Sequence, residues 1–129
     1  MHWAAKYIGL PYVLGGRDMQ GCDCWGLVLM VLRNDAGIEM QDVAVGETGN
    51  DASIRDNFKG WAKIPLDGEL QPFDVITMRG INGNHIGIIA KGDERLMLHS
   101  ETPASCIIPV KFLPVAGYKH FRAWRYRGN

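Results

Sequence analysis

The stretch GCDCWGLVLMVLR, Gly21 to Arg33, sets two of the chain's three cysteines around one aspartate, directly ahead of a dense apolar run. A free thiol is mostly protonated at neutral pH and becomes a good nucleophile only when its pKa falls or a base takes its proton. If the apolar run is a helix, Cys24 stands in its first turn, where unpaired backbone N–H groups and the helix dipole favour a thiolate. Asp23 opposes this, because a neighbouring carboxylate disfavours a second negative charge. The expectation is that capping ties up Asp23, that the dipole is only part of the activation, and that a histidine base supplies the rest.

Two of the four histidines lie on one candidate hairpin, His85 opening HIGIIA and His99 closing RLMLHS. A three-residue turn, Lys91-Gly92-Asp93, sets Ala90 opposite Glu94 and His85 opposite His99. Directly opposed residues have Cβ atoms roughly 5 Å apart on one sheet face. One imidazole can then fix the tautomer and orientation of the other, the part played by the third member of a triad. A four-residue turn sets His85 opposite Ser100 and spoils this geometry. His2 and His120 read as surface residues, and Cys22 and Cys106 as core. The C-x-C pair also has the form of half a metal site. Zinc sites mostly use C-x₂₋₄-C with two further ligands, however, and Cys22 and Cys24 at a helix entry point in different directions. No metal or organic cofactor is expected.

The elements that must position these residues follow from pattern. Residues 3–9 suit one or two helical turns that Pro11 ends, and LPYVLGGRDMQG reads as a loop. From Trp25 to Leu32 almost every residue is apolar, which predicts a helix buried on most sides, with Asp23 as N-cap and Gly37 as stop. Ile54, Phe58 and Trp61 at helical spacing predict an amphipathic helix capped by Asn50 or Asp51. Beyond Pro72 come five short strand patterns: DVITMR, HIGIIA, RLMLHS, CIIPVKF and FRAWRYR. Helices followed by adjacent strands predict an α+β fold, with the buried helix packed on a C-terminal antiparallel sheet of about five strands.

Composition removes several function classes. Lys+Arg and Asp+Glu balance at 14 each, so no charge footprint points to nucleic acid or an anionic membrane. No apolar stretch reaches the roughly 20 residues of a membrane span. The start, MHWAAKYIGLPY, lacks the charged segment and long apolar run of a secretory signal. Three cysteines argue against a disulfide framework and fit synthesis in a reducing cytosol. With 129 residues the chain is expected to form one domain, residues 1–129.

Taken in order, YIGLPYVLGG, GCDCWGL, QPFDVITM, NHIGIIA and LMLHS resemble the NlpC/P60 family of papain-like cysteine peptidases, from about residue 7 to residue 100. That family shows a G-x-P-Y-x-x-G-G loop, D-C-x-G-L at a buried helix, G-D before a strand, H-x-G-I-Y, and a strand ending in H-[AS]. The resemblance implies Cys24 as nucleophile, His85 as general base, His99 as the orienting third residue and Tyr12 as an oxyanion-stabilising tyrosine, with Asp23 structural. It implies peptidoglycan stem peptide as substrate. Departures are Phe73 for the usual glycine and Ile89 for the usual aromatic, both at packing positions. Trp25 stands where bacterial cell-wall enzymes more often carry serine. D-C-W-G-L on a domain beginning near Met1 without a targeting signal resembles the phage and prophage tail-associated members. A virion tail, with other tail proteins as partners, would then carry a cytoplasmically made hydrolase to the cell wall. Two other readings stay open: a structural tail-tip or tail-assembly protein with little catalysis, and an amidase or acyltransferase on the same fold.

Overall fold

A computed structural model describes residues 2–40 and 58–128. A short 3₁₀ helix, Trp3–Tyr7, opens the chain. The glycine-rich segment expected to be plain loop contains a minimal hairpin of β1 (Arg17–Asp18) and β2 (Gly21–Cys22). Helix α1 (Cys24–Val31) follows, with Asp23 as N-cap, and a π turn over Leu32–Ala36 ends at Gly37 in the left-handed conformation. Both helix signals read from the sequence therefore hold.

The rest is one six-stranded antiparallel sheet rather than five strands. Its members are β3 (Trp61–Ile64), β4 (Val75–Gly80), β5 (Gly83–Lys91), β6 (Leu96–His99), β7 (Cys106–Pro109) and β8 (Lys119–Tyr126). Their order is β3-β8-β4-β5-β6-β7. The added strand is β3, paired along β8. Trp61 thus belongs to a strand and not to the expected amphipathic helix, whose remaining span through residue 57 lies outside the described residues. Phe58 and Trp61 meet edge to face, and Phe58 stacks on Trp124, so the aromatic spacing reports cross-strand packing rather than helical periodicity. Strand β7 also ends earlier than CIIPVKF suggested, because Val110–Phe112 turn into a 3₁₀ helix.

Both faces of the sheet are buried along most of β4 and β5, which is why these strands read as nearly continuous apolar runs. Val75, Ile86, Ile88 and Leu98 pack with Leu27, Val28 and Val31 of α1. Ile76, Met78, Ile89 and Met97 pack on the other side with Val110 and Leu113. Ile89, which replaces the aromatic expected from the resemblance, is fully buried there, so that departure changes core packing. Phe73 stands at φ 73° where the resemblance calls for glycine. That left-handed backbone costs a side-chain-bearing residue roughly 1–2 kcal/mol, offset here by its ring stacking 4.8 Å from Trp3. The next residue, Asp74, is buried and takes a bidentate bond from Arg125 at 2.9 and 2.7 Å, joining the start of β4 to β8.

The entry to α1 is packed backbone to backbone. A Cβ placed on Gly26 would meet the Gly16 carbonyl oxygen at 2.1 Å. Gly26→Ala is therefore expected to destabilise the protein by about 2 kcal/mol or more, read as a lowered thermal midpoint, because the helix start and the 15–17 turn must separate.

Candidate active site

Asp23 anchors the site. Its fully buried carboxylate accepts from the backbone N–H of Gly26 (2.8 Å) and Gly15 (2.8 Å) and from Arg17 Nη1 (2.7 Å). The capping expected from sequence holds, and Arg17 adds a charge partner that sequence did not reveal. Spent on these three donors, Asp23 fixes the loop against the first turn of α1, where Cys24 lies 4% exposed.

Cys24 and Tyr12 line a cleft of about 430 Å³ together with His85, Ser100, Glu101 and Tyr118. Tyr12 reaches it because its backbone bridges Cys22 in parallel and its N–H bonds the Pro103 carbonyl at 3.0 Å. Cys22 is core, as expected: it is fully buried, with Sγ 3.9 Å from Ser100 Oγ.

The two histidines meet, though not in the expected register. Ile88 pairs with Leu98 and Ile89 with Met97, two residues out from direct opposition of His85 and His99. The hairpin turn covers Gly92–Arg95, with Arg95 at φ 52°, and a bulge falls between Ile89 and Lys91. A four-residue turn alone would send the histidines to opposite faces. The bulged residue restores the parity, so they become diagonal neighbours on one face, still within reach for long side chains. His85 Nε2 lies 2.9 Å from His99 Nδ1, the rings edge to face.

Tyr118, which sequence did not single out, stacks on His85 with centroids 4.6 Å apart and planes at 17°. Its hydroxyl bonds the Glu101 carboxylate. The other nitrogen of His99, Nε2, faces Cys106 Sγ at 3.5 Å and Glu101 Oε1 at 4.0 Å. Cys106 is thus half-buried beside His99, not a core residue as expected. No local motif announces Tyr118 or Glu101. The loop that returns from the 3₁₀ turn to β8 brings Tyr118 back over the histidines.

Burial governs the protonation states. It pushes the Cys24 thiol up to about 12, with Asp23 adding to the effect, while the backbone N–H groups of Ile86, Trp25 and Cys24 pull downward. Burial first, and His99 second, lower His85 to about 3. His99 is also lowered by burial, against the opposing pull of Glu101. Tyr12 is raised by burial first, with the neighbouring Cys24 and Asp23 adding to the effect. The helix dipole therefore does not deliver a resting thiolate; a neutral thiol stands in one cleft with a neutral imidazole. A histidine depressed on folding contributes stability that is complete above its unfolded pKa near 6.5 and is lost as pH falls toward the folded value. Urea midpoints are expected to drop between pH 6.5 and 5, above the carboxylate range, and His85→Ala to flatten that segment.

The cleft thus gathers a thiol, Cys24, and an imidazole, His85, that a second imidazole contacts. The NlpC/P60 family profile matches residues 9–112. The chain is 34% identical over 96 residues to "Tail tip assembly protein K" of Escherichia phage N15, covering 69% of this chain and 37% of that protein. It is 30% identical over 100 residues to a "Probable endopeptidase" of Haemophilus influenzae, covering 75% and 54%. The chain thus spans between a third and just over half of the length of these curated relatives. Among solved structures, the NlpC/p60 domain of the peptidoglycan hydrolase SagA superposes with a TM-score of 0.62 at 24% identity, over 92% of this chain and 90% of that one; this likeness bears on the fold alone.

Proposed function

Since the chain belongs to the NlpC/P60 family, we propose that it is a cysteine peptidase that hydrolyses peptide bonds in peptidoglycan stem peptides, carried on a phage or prophage tail. The observation that supports this reading best is the 2.9 Å contact of His85 Nε2 with the buried His99 Nδ1, His85 lining the same cleft as Cys24. The tail setting draws on the N15 relative, the peptidase reading on the Haemophilus influenzae relative, and the substrate class on what membership of the family implies.

His85 uses Nε2 toward His99, which leaves Nδ1 to take the Cys24 proton. That requires the ring proton of His85 on Nε2, donated to the Nδ1 lone pair of His99. The proton of His99 then lies on Nε2, facing the Cys106 sulfur and the Glu101 carboxylate. The sulfur attacks the peptide carbonyl as Nδ1 accepts the thiol proton, and that proton passes to the leaving amine. Water, activated by the same nitrogen, then cleaves the thioester. Because charge is costly in this buried cleft, the thiolate forms with attack rather than before it. The N–H groups at the start of α1 and the Tyr12 hydroxyl stabilise the oxyanion. Tyr12→Phe is expected to lower kcat by about 10²-fold or more with little change in KM.

The reading is tested by digesting purified peptidoglycan and identifying released fragments by mass spectrometry. New stem-peptide fragments support it and name the scissile bond. Their absence, with a folded protein, favours a structural role in tail assembly, to which the N15 relative's name also points.

A further inference from the structure

The face of His99 turned away from His85 carries a second set of donor atoms that the reaction above does not consume. His99 Nε2, Cys106 Sγ and a Glu101 carboxylate oxygen all lie within 4.8 Å of one another. We propose that these three side chains form a zinc-binding site, completed by one water, and that occupancy switches the hydrolase off.

One of the three ligand distances matches what the ion needs, and the two to Glu101 must shorten, the sulfur–oxygen pair lying within 4.8 Å against ~3.6 Å. Zinc with bonds of about 2.3 Å to sulfur and 2.0–2.1 Å to nitrogen holds tetrahedral S and N ligands ~3.6 Å apart. Here Sγ and Nε2 are 3.5 Å apart. Tetrahedral N and O ligands stand ~3.4 Å apart, against 4.0 Å between Nε2 and Glu101 Oε1. The Glu101 side chain is 41% exposed and can swing by the difference. A thiolate, an imidazole and a carboxylate make a donor set that suits Zn²⁺ over the hard cations. The surrounding hydrogen bonds are those a metal site needs: His99 Nδ1 has His85 Nε2 as partner, and Tyr118 bonds the other oxygen of Glu101. The His85 contact fixes the His99 ring before any ion arrives.

The consequence follows from proton positions, and it rests on the peptidase reading. In the active arrangement each imidazole carries its proton on Nε2. A metal on His99 Nε2 needs that lone pair, so the His99 proton moves to Nδ1 and points at His85 Nε2. His85 must then accept there and carry its own proton on Nδ1, the nitrogen that has to take the Cys24 proton. The pair holds two protons before and after. The single proton released to solvent comes from Cys106, which binds as thiolate. The base is thereby blocked without any ligand touching Cys24.

Binding is measured first in Cys24→Ala, which removes a competing thiol, by titrating Zn²⁺ against a chromophoric chelator. One ion per chain is expected, weakened at least about tenfold by adding Cys106→Ser. Glu101→Gln, at a half-exposed position that does not endanger folding, is expected to weaken it too. Co²⁺ is expected to give a thiolate charge-transfer band that Cys106→Ser abolishes. Nitrogen NMR of Cys24→Ala is expected to show the His85 proton move from Nε2 to Nδ1 on zinc addition. No binding, or binding that both substitutions leave unchanged, overturns the site. Binding with no tautomer change overturns the switch. A protein that binds zinc this way yet never cleaves peptidoglycan supports the site and removes only the peptidase reading.

Discussion

Cys24→Ala is expected to lower turnover on peptidoglycan fragments by at least about 10⁴-fold, the scale on which loss of a covalent nucleophile acts. The fold should survive. Cys24 is a small, 4% exposed residue at the first position of α1, and alanine is the stronger helix former. The Asp23 cap and its bonds to Gly15, Gly26 and Arg17 do not involve the thiol. The thermal midpoint should shift by only a few degrees, so lost activity is not lost structure. Cys22→Ala and Cys106→Ala are the contrasting variants. Cys22 abuts Ser100 in the core, and its removal should cost stability far more than kcat. Full activity in Cys24→Ala would falsify the nucleophile assignment.

The second large effect is expected for His85→Ala, a loss of about 10²–10⁴ in kcat. The more telling change is in pH dependence. With His85 held low, to about 3, the wild-type base is already neutral across pH 5–8, and its activity should vary little there. Without the imidazole, solvent must form the thiolate, and burial has pushed that thiol up to about 12. The residual rate should then climb about tenfold per pH unit through neutrality. A merely structural role for His85 would lower the rate without steepening the profile. In a Cys24→Ala background His85→Ala should cost almost nothing further, since the two act as one unit.

How much of this the sequence announces depends on the kind of interaction. The helix holding Cys24 is local information: an N-cap aspartate, an all-round apolar run and a glycine stop, and all three hold. The histidine contact was expected through a three-residue turn, whereas the chain uses a longer turn plus a bulge at residue 90. The contact survives because the offset is even, and a one-residue slip would have separated the rings. Trp61 misled because aromatic residues that pack across β3, β8 and the Phe58 turn happen to fall at helical spacing. Tyr118 and Glu101 were invisible, since their value arises only when distant loops meet over His85 and His99. Phe73 shows the converse case. The resemblance calls for glycine there, and the backbone keeps the glycine-type conformation while the ring finds Trp3.

The central claim is that Cys24 forms a covalent acyl intermediate under the control of His85. The most direct test is to quench the protein with acid during turnover of peptidoglycan fragments and map adducts by mass spectrometry. The account predicts a hydroxylamine-labile thioester that peptide fragmentation places on Cys24 and that is absent from Cys24→Ala. Fragments released with no thioester on Cys24, or released equally by Cys24→Ala, would contradict it.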